Sequence, residues 1–356
     1  MRILLVVAAT LIIAAGFAFA AFYVGIQGDY DRVQASGTVI SSPYGDIEYT
    51  KAGAGPAVLV IHGSGGGYDQ GELIADTVLG ASFHSITPSR FGYLRSTFHE
   101  GATWDDQAHA YRYLLGHLGV DRAAVLAMSH GCPSALLFAA LYPERVSSLT
   151  LVSCGVATSL DAGQAEADRK GKVLTSAFKF DFPYWLMSRV ARNQFMQLMG
   201  ATDAVIASLT PAQRRSVGNI IDFMNPASLR SAGVLFDNAG TLPGPRVAGI
   251  KAPTLIFHAA DDTLQLYHNA EFAVSTIPGA RLISFERGGH LAVIVEQSRI
   301  RSAAQEHILF NVRERQEHQH QSSNVADQKF TSQDMPLNST DRLTRSTLRE
   351  RPLPHQ

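Results

Sequence analysis

The sequence is short of cysteine, short of net charge and short of long apolar runs, and each shortage excludes something. Two cysteines in 356 residues, Cys132 and Cys154, rule out a scaffold built on disulfides. They are expected as two buried reduced thiols, although export from the cytoplasm would permit a bridge between them. A formal net charge of -1 supplies no field that would gather a polyanion, so no nucleic-acid partner is expected. Hydrophobic residues make up 46% and charged residues 17%, enough apolar material for a large core. The chain exceeds one average domain, a size that open α/β folds with insertions reach as a single unit.

The one long apolar run, "ILLVVAATLIIAAGFAFAAFYVGI" from Ile3 to Ile26, follows Arg2 and precedes the acidic "GDYD". It is long enough to cross a bilayer as a helix and reads, with its flank over 1–28, as an export signal retained as an anchor. Ala18-Phe19-Ala20 offers a cleavage site, so a cleaved signal and a secreted or periplasmic product is the alternative. Arg2 before the run and Asp29 and Asp31 after it place the remaining domain on the extracytoplasmic side. At the other end, 313–356 is rich in Gln, Ser, Arg and His and reads as a disordered polar tail. His318 and His320 alternate within that tail and carry no expectation of a metal; no cofactor is expected either. Asn338-Ser339-Thr340 matches a glycosylation acceptor. The oligomeric state is left open.

Between the ends, apolar β-branched runs alternate with helical periodicity. "GTVISS" and "DIEYT" form an expected hairpin around "PYG"; "AVLVIHG", "FHSITPS", "AAVLAMS", "SSLTLVSC", "PTLIFHA" and "ARLISFE" are expected strands. Helical segments between them predict a mostly parallel, doubly wound α/β sheet. Thr103 is a candidate N-cap for a helix over "WDDQAHAYRYLLGHLGV". From 156 to 247 no strand is expected. That stretch carries Phe178, Tyr184, Trp185, Phe195, Met196, Met199 and Met224, and Thr210-Pro211 reads as an N-cap with proline in the first turn. It is read as a helical cap inserted between core segments 35–155 and 248–312, most of its aromatics packing within it and the rest lining an apolar cavity.

Four of the expected strands end in groups suited to acyl transfer. "AMSHG" places Ser129 at a strand-to-helix turn, resembling the G-x-S-x-G nucleophile elbow with Ala127 in place of the first glycine. "HGSGGG", from His62 to Gly67, is a loop whose backbone can approach a substrate; the amides of Ser64 and His130 are candidate oxyanion donors, and His62 itself is read as structural. Asp262 follows "PTLIFHA" and His290 follows "ARLISFE". The order is serine, aspartate, histidine, with separations of 133 and 28 residues. Asp261 is the rival for the acidic position.

With "SRFGYLRS" and "FHAADDTL" added, the chain from Val39 to Phe310 resembles the α/β-hydrolase superfamily, specifically a serine hydrolase with an inserted cap. Ala259 replaces the glycine of the family's H-G-x-x-D pattern, and Ser89 stands where many relatives have aspartate. The resemblance implies a triad of Ser129, Asp262 and His290. It implies hydrolysis of a carboxylic ester or thioester of a small apolar molecule through an acyl-enzyme. Serine at 129 excludes the haloalkane dehalogenases and epoxide hydrolases, which need aspartate there. Carbon–carbon bond hydrolysis and cofactor-free perhydrolysis use the same three residues, and a non-catalytic receptor for a small ligand uses the same fold.

Overall fold

The computed structural model describes residues 1–159 and 162–314. The chain divides into units of 1–312 and 313–356; His318, His320 and the Asn338 acceptor lie outside the described residues. Eight strands form one sheet: β1 (Thr38–Ser42), β2 (Gly45–Ala52), β3 (Ala57–Ile61), β4 (His84–Pro88), β5 (Ala123–Met128), β6 (Val146–Val152), β7 (Thr254–Ala259) and β8 (Arg281–Phe285). Their order is β1-β2-β4-β3-β5-β6-β7-β8. The β1–β2 hairpin is antiparallel and β2 joins β4 antiparallel; every other neighbouring pair is parallel.

The central strands are buried on both faces, which is why they read as continuous apolar runs. Residues of alternating parity in each feed two cores. Val58, Val60, Leu126 and Phe257 face one; Leu59, Ile61, Val125, Leu149 and Leu151 face the other. Helix Trp104–His117 begins as expected, with Thr103 and Asp106 forming a reciprocal capping box. Helix Pro211–Phe223 has the same device in Thr210 and Gln213, with Pro211 in its first turn. Between β6 and β7 the described segments from Ala162 to Ala239 are helices joined by turns.

One expectation is corrected. Cys132 and Cys154 are joined in a disulfide, their Cα atoms 5.5 Å apart. Each follows the end of one of two adjacent parallel strands, β5 and β6, with Met128 paired to Val152. That register brings the thiols together. The apolar N-terminal run is the first part of a longer helix, Arg2–Ala35. Its last turns continue because they have partners: Ile26 and Val33 are buried, the Tyr30 hydroxyl donates to Asp181, and Arg32 bonds Asp69 at 2.6 Å. The first two-thirds of the helix is apolar and exposed, and it is long enough to cross a membrane.

Candidate active site

All the candidate groups lie beyond the C-terminal ends of parallel strands, where a parallel sheet opens a crevice. β5 runs into Ser129, whose φ of +53° is an unfavourable backbone conformation for a serine. The turn is then followed by helix Cys132–Leu141. Gly131 is required here because a Cβ would stand 2.4 Å from the His62 carbonyl oxygen. Backbone crowding of this kind explains the glycine two positions after the serine.

Ser129 Oγ lies 2.9 Å from Nε2 of His290, and Nδ1 of His290 lies 2.8 Å from Oδ2 of Asp262. All three residues are almost fully buried. The other oxygen of Asp262 accepts the amide hydrogens of Leu264 and Gln265 at 2.9 and 3.0 Å. With both oxygens engaged, the carboxylate cannot rotate away from the imidazole. Asp261 points elsewhere: its carboxylate accepts the Gly289 amide at 2.7 Å and so ties down the turn that carries His290. The structure therefore joins Ser129, His290 and Asp262 in one hydrogen-bonded line and leaves Asp261 beside it.

The loop after β3 has its amides sorted. Gly63 donates to Gln70 Oε1 at 3.0 Å, Gly65 to the Tyr93 hydroxyl at 3.3 Å and Gly66 to the Gly63 carbonyl at 3.3 Å. Among the described residues no protein acceptor is bonded to the Ser64 amide. His130, in the turn that opens the next helix, supplies the second candidate amide. His62 is structural, as expected. Its Nδ1 bonds the Gly63 carbonyl and its Nε2 accepts the Arg90 amide, the pattern of a neutral ring. Complete burial, with the Arg90 cation beside it, pushes its pKa well below the usual histidine value.

Sequence reasoning missed the clamp behind this loop. Arg90 is fully buried; its Nε donates to the His62 carbonyl and its two terminal nitrogens bond Asp237 at 2.7 Å each. Tyr93 donates to the same carboxylate and stands 3.3 Å from Ser64 Oγ. On the other side Arg230, also fully buried, reaches the Gly66 carbonyl and both oxygens of Asp69. The "SRFGYLRS" motif contains Arg90 and Tyr93. Their partner Asp237 lies 147 and 144 residues away, so no local signal in the sequence pairs them.

Two narrow cavities of about 60 and 50 Å³ flank Ser129. The first is walled by Leu73, Ile74, Ile220, Val293 and Ile294; the second by Leu174, Phe178, Phe195, Asn238 and His130. Met199 and Met224 touch both. Several aromatics and methionines of the insertion thus line cavities, while Tyr184 and Met196 pack in its interior. No Lys or Arg lines either cavity among the described residues. Nor does any cluster of three potential metal ligands occur among them.

This geometry has counterparts. The sequence profile of the alpha/beta hydrolase fold matches residues 56–297. The chain belongs to the α/β-hydrolase fold family. It is 31% identical to the uncharacterized hydrolase YcgS of Bacillus subtilis over 257 residues, 69% of this chain and 89% of that one. It is 27% identical over 255 residues to a 2-hydroxy-6-oxo-6-phenylhexa-2,4-dienoate hydrolase of Comamonas testosteroni, covering 69% and 85% of the two chains. Among solved structures, a thermophilic esterase from Thermogutta terrifontis superposes with a TM-score of 0.61 at 20% identity, over 78% of this chain and 99% of that one. The chain is an enzyme of the hydrolase class, like these relatives.

Proposed function

We propose that this hydrolase cleaves a carboxylic ester or thioester of a small apolar molecule through an acyl-enzyme on Ser129. The observation that carries the reading is the unbroken line from Ser129 Oγ through His290 to Asp262, beside an unengaged amide at Ser64. His290 Nε2 takes the hydroxyl proton as Oγ attacks the carbonyl carbon. Asp262 holds the ring so that Nε2 is the acceptor and stabilises the imidazolium that forms. The Ser64 and His130 amides receive the oxyanion. The bond to the leaving alcohol or thiol then breaks, with His290 returning its proton to that group. Water, deprotonated by the same nitrogen, releases the acid.

A second reading, cleavage of a carbon–carbon bond in a diketone-like substrate, is favoured by the relative from Comamonas testosteroni. A dienoate carries a carboxylate. The two fully buried arginines behind the loop after β3, Arg90 and Arg230, are already committed to Asp237 and Asp69, and apolar side chains dominate both cavity walls. An uncharged ester suits those walls better. The long apolar helix is read as a retained anchor with the catalytic domain extracytoplasmic. The Cys132–Cys154 bridge supports an oxidising compartment.

The test is labelling of the full-length chain in detergent with a fluorophosphonate, followed by location of the adduct by mass spectrometry. The adduct is expected on Ser129 and absent in His290→Ala. Folded protein that takes no label, or takes it at another serine, overturns the reading.

A further inference from the structure

The anchor fixes a height. An α-helix rises about 1.5 Å per residue, so crossing a hydrocarbon core of about 30 Å takes about 20 residues. Within the charge-free run Ile3–Ile26, such a span ends between Phe22 and Ile26. Phe22 is where the anchor meets the helical insertion. Its ring packs edge-on against Phe182 at 5.1 Å and Trp185 at 5.6 Å, and Phe19 lies 6.2 Å from Phe182. A Cβ on Gly25 would stand 3.1 Å from Trp185 Nε1, so the two helices are in close contact one turn further on. Beyond that point the anchor turns polar and bonds the domain through Tyr30 and Arg32.

The start of helix Asp181–Val190 is thereby held where hydrocarbon gives way to headgroups. What it exposes there suits that zone. Phe180 is 68% exposed, and Pro183 and Lys179 are exposed beside it. Aromatic rings at this depth with an exposed lysine beside them match the composition of membrane interfaces. On the inner side the same segment is bracketed by Phe178 and Tyr184, whose rings pack 4.8 Å apart, and Phe178 lines the cavity beside Ser129.

We propose that the turn 179–183 of the insertion is a second membrane contact, seated in the interfacial layer of the leaflet that the anchor leaves, with Phe180 and Phe182 as its apolar wedge. The inference rests on the anchor reading above. It adds that the catalytic unit is held against the bilayer and does not swing on its anchor. The occupant of this apolar patch is lipid, because the patch is continuous with the helix that lipid surrounds.

The native cysteines are paired with one another, so a single introduced cysteine can be spin-labelled selectively. The full chain is reconstituted in phosphatidylcholine bilayers and labelled at Phe180→Cys, at Val6→Cys in the anchor, or at Leu141→Cys on the exposed end of a sheet-side helix. Collisions with oxygen, which concentrates in lipid, are compared with collisions with a water-soluble nickel chelate. Phe180→Cys is expected to resemble Val6→Cys, protected from nickel and relaxed by oxygen, while Leu141→Cys stays open to nickel. If Val6→Cys is lipid-embedded and Phe180→Cys is as open to nickel as Leu141→Cys, the second contact is wrong and the anchor stands. Should Val6→Cys itself prove open to nickel, the anchor reading fails and takes this proposal with it. Phe180→Ser carries an independent readout: hydrolysis of a water-soluble ester is expected unchanged, and hydrolysis of a bilayer-borne ester reduced several-fold.

Discussion

The strand-end loops and the helical insertion differ in what they contribute to the site. Ser129, Asp262, His290 and the candidate oxyanion amides all come from loops that follow strands, each fixed by short backbone contacts. The insertion contributes Leu174, Phe178, Phe195, Met199 and Met224 to the cavity walls. The candidate reacting groups thus sit on the strand-end half, held rigid by those contacts, while the cavity walls are shared, with Leu73, Ile74, Val293 and Ile294 coming from outside the insertion. The two halves are joined by buried ion pairs that cross in opposite directions: Arg90 of the sheet side to Asp237 of the insertion, and Arg230 of the insertion to Asp69 of the sheet side. Paired charges at zero or near-zero exposure make a joint that tolerates little sliding.

The largest effect should come from within the rigid half. Asp262→Asn removes the carboxylate that holds His290, and turnover is expected to fall about 10⁴-fold with the fold intact. Asp261→Ala, one residue away, loses only the bond to the Gly289 amide, worth about 1 kcal/mol, and turnover should stay within about tenfold of wild type. Steady-state kinetics on a soluble ester separates the two. Equal losses would mean that the pair acts as a unit and that Asp262 has no special place.

That pair also marks where sequence reasoning stopped. Each candidate site residue was legible because it follows a short apolar run, bounded by turn residues, that reads as a strand, and parallel strands collect their C-terminal loops in one crevice. Between two adjacent aspartates only the resemblance, through its H-G-x-x-D spacing, preferred Asp262, and what Asp261 does instead is visible only in the fold. The bridge between Cys132 and Cys154 was missed for a related reason: it follows from β5 and β6 being neighbours in register, and strand order is a property of the whole sheet. The continuation of the apolar helix through the polar "GDYD" carried no sequence signal either. In the fold Tyr30 and Arg32 find partners 151 and 37 residues away.

The joint is the next thing to break. Asp237→Asn leaves the Arg90 guanidinium buried without a counter-charge, and the cost is expected at about 3–5 kcal/mol, read as a lower denaturant midpoint. Replacing both partners, Arg90→Met with Asp237→Leu, should recover part of that loss because no charge is then stranded. If the single variant is as stable as wild type, the insertion is not held by this pair. The contrast between a fixed half and a clamped one would then need another cause.

Acid should act on the rigid half first. His62 and His258 are both wholly buried at strand ends, and burial pushes both below the ordinary histidine value, opposed at His258 by the Asp262 charge. Each is therefore neutral in the folded protein at a pH where it is already protonated in the unfolded chain. Between the unfolded value of about 6.5 and the lower folded values, unfolding takes up protons. Stability is thus fully present above about pH 6.5 and declines as the pH falls through this window, by up to about 1.4 kcal/mol per pH unit for each ring. Urea midpoints measured down to about pH 5 should show that slope, and His258→Gln should reduce it. Hydrogen exchange adds the spatial part of the test. Amides of 62–67 and 258–265 should lose protection at a higher pH than those of helix Pro211–Phe223, and simultaneous loss would mean that the two halves open as one.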